Sequence, residues 1–196
     1  MREHHRPFLA GQKLFDEIPC DIDPSERAAI GTRIATVLVR GPANQDDSEL
    51  VKRIVNLADD HGLELIAEFW STAAPESLAG ALWRLYVLRT WVHREPRKAA
   101  TECEAGKQFA PVAEVVAGVA NWPSPDEIVE LIDTVLAGLI GDNLDVALDR
   151  AGAFAQLVAL GRSELFPQES AQAARLFETA NALHAAAQAE RAGVLN

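Results

Sequence analysis

Aromatic residues are scarce in this chain, at 6% of 196 positions. Runs of Val, Ile and Tyr are scarce too, which excludes a sheet core built from β-branched and aromatic side chains. Cysteine occurs twice, as Cys20 and Cys103, with no CxxC spacing. That leaves no disulfide framework and no thiolate zinc site. No segment approaches the roughly 20 apolar residues of a membrane helix. The opening MREHHRPFLAGQKLF has no apolar run of signal-peptide length. The expected location is the cytoplasm, with no membrane contact. Positive charge is in short supply: 18 Lys and Arg stand against 29 Asp and Glu, a net charge of −11. Such a surface repels phosphate backbones and anionic lipids, which disfavours nucleic acid as a partner.

The motifs of common chemistries are missing as well. There is no GxxxxGKS/T, no GxGxxG after a strand, no HExxH and no GxSxG. No glutamate has a histidine three residues on, the step that di-metal carboxylate bundles use. His4 and His5 are adjacent and would point apart in a helix or strand. No metal and no cofactor is expected.

What is present is helical. Alanine is heavily used, and 48% of residues are hydrophobic against 24% charged, ordinary for a globular protein. Asp23-Pro24-Ser25-Glu26 reads as a helix start, and Gly41-Pro42 as its end. Further helices are expected over about 48–60, 63–71, 96–106 and from Pro111. Ser124-Pro125-Asp126-Glu127 is a full capping signature for another. The next is capped by Asp142-Asn143 and ends at Gly161; the last runs from Pro167 towards Arg191.

The stretch Pro75–Pro96 stands out. Leu78, Ala81, Leu82, Leu85, Leu88 and Val92 form one broad stripe, and Trp83, Tyr86, Val87 and Trp91 continue around it. A helix apolar nearly all round is expected at the centre of a domain. The predicted architecture is therefore all-α: a single compact bundle of seven or eight helices over 23–196, with a buried central helix at about 75–95. Residues 1–22 form an N-terminal arm packed on it.

Arg89 breaks the apolar rule of the central helix. A guanidinium cannot shed its charge, so it needs a partner. Glu64 and Glu68, one turn apart on the preceding helix, are the expected ion-pair partners. In the functional reading, Arg89, His93 and Arg84, with Trp83 and Arg94 beside them, line an anion or partner site. Arg84, Arg89, Arg94, Arg97 and Lys98 form a basic island in an acidic protein.

Two family resemblances bear on function. The stretch LWRLYVLRTWVHREP, with the later VLAGLIGDNLDVALDRAGAFAQLVALGR, resembles small all-helical proteins of unknown function from high-GC bacteria, over about residues 75–162. It implies the fold class and no activity. The run Ile54 to Tyr86 looks like the reader half of one-component helix-turn-helix repressors. It departs from them in lacking the alanine–glycine turn and in offering Glu76, Ser77 and leucines where DNA-reading residues belong. The expected function is a non-catalytic interaction or regulatory protein, with a second copy of the chain or an acidic protein as candidate partner. The alternatives are a ligand-binding regulator of the repressor type and an enzyme whose site is assembled from distant residues.

Overall fold

The computed structural model describes residues 23–41, 63–109, 123–136 and 143–196. Helix α1 spans Pro24–Arg40. The Asp23 carboxylate accepts the Ser25 N–H at 2.8 Å, and Gly41 ends the helix with φ 77°. The short α2, Leu63–Glu68, leads into a turn that buries Trp70. There the indole N–H donates to the Gly31 carbonyl of α1 at 3.0 Å. Helix α3 spans Leu78–Arg94, three residues short of the expected start at Pro75. The chain turns through Pro75 and Glu76, and Ser77 caps α3 by accepting the Gly80 N–H at 3.0 Å. Glu95 alone separates it from α4, Pro96–Phe109.

Helix α5, Pro125–Leu136, carries the capping box read from its sequence. The Glu127 N–H donates to Ser124 Oγ at 3.3 Å, and the Ser124 N–H donates to the Glu127 carboxylate at 2.7 Å. These bonds from Ser124 hold the Glu127 carboxyl below its ordinary value. A lowered folded-state value means the cap contributes above the ordinary glutamate range and is lost as pH falls through the lower value. Acid titration of a Glu127→Gln variant will accordingly be flatter than wild type just below that range, and matching urea midpoints across pH is the check.

Helix α6, Leu144–Leu165, is followed by a 3-10 turn at Pro167–Glu169 and by α7, Ser170–Arg191. Among the described residues there is no strand, and the seven helices share one apolar core. Helix α3 touches all six others, so it is the spine that its composition predicts. It is not enclosed all round, however. Val87 is 44% exposed, and Trp83 and Trp91 are only partly buried. The most enclosed helix is α6, packed between α4 and α7.

Two expected helix ends were misplaced. Helix α4 runs through Gly106 to Phe109, and α6 runs through Gly161 to Leu165. Both glycines are contact points. A Cβ on Gly106 would lie 2.0 Å from the Leu157 carbonyl oxygen, and one on Gly161 would lie 1.8 Å from that of Glu102. They let two backbones approach, which fixes the axis of α6 against α4. The arm at 1–22, the helices expected at 48–60 and after Pro111, and the Asp142 cap lie outside the described residues.

Candidate functional site

The open side of α3 faces α7 across a cleft of about 380 Å³. From α3 come Trp83, Arg84, Val87, Leu88 and Trp91. Their spacing of one, four, five and eight residues makes them a single stripe. From α7 come Gln172, Arg175, Leu176 and Thr179, again one stripe. Arg162, near the end of α6, completes the lining. The volume lies in the range of small-molecule sites, which are commonly aromatic-lined with a few placed polar groups.

The walls are held by stacked neighbours. Trp83 stacks on Tyr86 with ring centres 5.8 Å apart and planes at 25°. The Arg162 guanidinium lies 5.0 Å from the centre of the Trp91 ring, a cation–π contact. Arg162 is itself fixed by a buried carboxylate. Its Nε donates to Glu102 Oε1 at 3.0 Å and its Nη2 to Glu102 Oε2 at 2.8 Å. Glu102 is fully buried, yet no atom of it is left unsatisfied. Lys98 stands 3.9 Å from the same carboxylate and 3.0 Å from Glu169, so the charges behind the cleft are locally balanced.

Arg84 is different. It is half-buried, and its Nη1 donates to the Gly80 carbonyl at 2.9 Å. Burial pulls its pKa below the ordinary arginine value, and the more distant charge of Glu76 opposes that shift. No carboxylate of the described residues is within ion-pair distance of it. Arg175, on the facing helix, is exposed and likewise has no carboxylate partner among those residues.

The structure thus brings together two of the five predicted site residues, Trp83 and Arg84. At about 100° per residue, Arg89 projects roughly 170° from the centre of the cleft stripe. It is half-buried on the far side of α3, and its Nε donates to Asp133 of α5. The expected pairing with Glu64 or Glu68 is therefore corrected. Glu64 is exposed, and Glu68 lies 3.7 Å from Arg27 of α1. The physical reason is packing: this side of α3 lies on α5, which presents Asp133 at its rim. With both partners partly solvated, the Arg89–Asp133 pair is a rim contact. A double-mutant cycle with Arg89→Ala and Asp133→Ala should give a coupling below about 1 kcal/mol. His93 and Arg94 are exposed.

Sequence reasoning missed Arg162, Arg175, Gln172, Thr179 and Glu102. Glu102 carried a signal: Ala99, Glu102, Cys103 and Gly106 form one stripe of otherwise small, apolar residues. A second polar cluster ties α6 to α7 away from the cleft. His184 Nδ1 lies 3.0 Å from Asp149, which also receives the Arg191 guanidinium at 2.5 Å. The His184 ring sits against Gly152, filling the space that a side chain would take. Among the described residues, no three metal-binding side chains converge. Comparison with protein-family models, with curated proteins and with solved structures finds no match to this chain.

Proposed function

We propose that this chain is a non-catalytic, ligand-binding regulatory protein whose ligand occupies the cleft between α3 and α7. The observation that carries this reading is the cleft itself. Its size, its two tryptophans and its guanidiniums match the make-up of small-molecule sites. The lining also speaks against turnover. Among the described residues Thr179 is its single hydroxyl, and no His, Asp or Glu lines the cleft to activate it. A cytoplasmic location is part of the proposal. It is supported by Cys103, a buried free thiol, and by the lack of any described helix long and apolar enough to cross a membrane.

The repressor variant of this reading has less support. The helix that would enter DNA is α3, and Leu78, Ala79, Gly80 and Ala81 of its first turn are buried. The Leu78 N–H donates to the Asn196 carbonyl at 2.7 Å, which occupies the end that a major groove would need.

A fragment screen of neutral and charged planar compounds, followed by amide NMR shifts, tests the proposal. Shifts should cluster on the facing stripes of α3 and α7 and vanish in Thr179→Trp, which fills the cleft. Shifts that scatter over the surface, or that persist unchanged in the filled variant, overturn it.

A further inference from the structure

The charged residues around the cleft divide into two kinds. Arg162 and Glu102, buried deepest, satisfy each other through two hydrogen bonds. Arg84 is half-buried with a carbonyl oxygen as its partner and no carboxylate beside it among the described residues. Buried charges are normally compensated, because removing an ion from water is costly. A single carbonyl satisfies one N–H of the five that a guanidinium carries. Arg175 faces the same space from α7. Among the described residues, no Asp or Glu lines the cleft. The net charge repels anions, while this recess presents Arg84 and Arg175 with no carboxylate opposite them among the described residues.

The apolar part of the lining adds shape. Trp83 and Trp91 offer rings already held by stacked neighbours, Tyr86 and Arg162. Rings held in place lose little entropy on binding, so a flat partner is favoured over a flexible one. A net charge of −11 sets the charge of the guest. A phosphate carries nearly two negative charges at neutral pH and is repelled more than a monoanion. A carboxylate matches the planar fork of a guanidinium with one charge.

We propose that the cleft takes a small, planar aromatic monocarboxylate, its carboxylate held by Arg84 and Arg175 and its ring laid against Trp83 and Trp91. This rests on the reading of the cleft as a binding site and specifies its ligand class. Arg84 is the anchor, since it is half-buried with no carboxylate beside it among the described residues. Arg175 reaches in from the facing helix and closes on the bound group. The ligand would supply Arg84 with the counter-charge that the described residues do not.

The test is calorimetric titration with three probes that share one ring system: 2-naphthoate, the neutral 2-naphthamide and 2-naphthyl phosphate. 2-Naphthoate should bind at least about tenfold more tightly than the amide, the scale of a charge-assisted hydrogen bond. The preference should collapse in Arg84→Met and fall in Arg175→Gln, with amide binding little changed in both. Circular dichroism confirms that Arg84→Met is folded, and the exposed Arg175→Gln supplies the result independently if it is not. Equal binding of naphthoate and amide, both lost in the cleft-filling Thr179→Trp variant, overturns the carboxylate assignment and leaves the binding site standing. Tighter binding of the phosphate than of naphthoate overturns the monoanion assignment. Absence of binding by all three probes overturns this inference, whereas the fragment screen decides the broader reading separately.

Discussion

Gly161→Ala will be among the most destabilising substitutions in the chain, although it replaces a poor helix former with the best one. Alanine gains about 1 kcal/mol of helix propensity over glycine. Against that, the new Cβ would lie 1.8 Å from the Glu102 carbonyl oxygen and close to the Gly106 N–H group. Both obstacles are backbone, so no side chain can rotate away. The helices must separate, and α6 is the most enclosed element of the fold. Overpacking a core costs typically about 1–3 kcal/mol, and a backbone clash belongs at or above the top of that range. The expected net loss is therefore about 2 kcal/mol or more, read as a lowered urea midpoint. Gly106→Ala should behave alike, since its Cβ would lie 2.0 Å from the Leu157 carbonyl oxygen. The double variant should cost less than the sum, because one separation of α4 from α6 relieves both clashes. Glu164→Ala, exposed on the same helix, is the control and should stay within about 0.5 kcal/mol of wild type. A Gly161→Ala protein as stable as wild type would show that the two backbones do not touch.

The same glycines show how far the sequence could be read. Helix existence and the main caps were legible because they depend on neighbours in the chain. Asp23-Pro24 and the Ser124–Glu127 box are local chemistry, and both stand where their residues put them. The spine role of α3 followed from its many apolar positions. Glycine at 106 and 161 was ambiguous, because a helix stop and a close approach use the same residue for different reasons. Only the partner helix decides between them, and the partner lies some 55 residues away. The buried charge was misassigned on similar grounds. Arg89 sits in an apolar stripe on a helical wheel, yet that side meets Asp133 at a solvated rim. The pair that is truly buried, Glu102 with Arg162, spans two helices, and neither residue breaks a long hydrophobic run. The cleft was half legible. Trp83 and Arg84 were singled out from α3, whereas its other wall required knowing that α7 lies opposite.

The Glu102–Arg162 pair carries the other large effect. Removing either partner alone takes away a buried ion's hydrogen-bonded counter-charge and leaves only a distant one, Lys98 at 3.9 Å from Glu102 or Glu169 at 4.0 Å from Arg162; breaking a buried pair costs up to roughly 3–5 kcal/mol. Glu102→Ala should approach that range, because the Arg162 guanidinium loses both hydrogen-bonded oxygens and keeps only Glu169 at 4.0 Å. Glu102→Gln should cost less, since an amide oxygen still accepts one of the two hydrogen bonds. Replacing both residues at once gives the opposite result. Glu102→Met with Arg162→Met removes two desolvation penalties along with one attraction, and such exchanges are often neutral or stabilising by about 1–4 kcal/mol. The double-mutant cycle should then show strong coupling. It should also be insensitive to added salt, because Glu102 is fully buried and Arg162 nearly so. The consequence for the cleft separates stability from function. Arg162 is the group that backs the Trp91 ring. A doubly substituted protein as stable as wild type, but with a Trp91 wall no longer held and weaker ligand binding, would show that the pair is kept to shape the site. Unchanged stability on removing Glu102 alone would mean that water reaches the pair and that the charge is not buried.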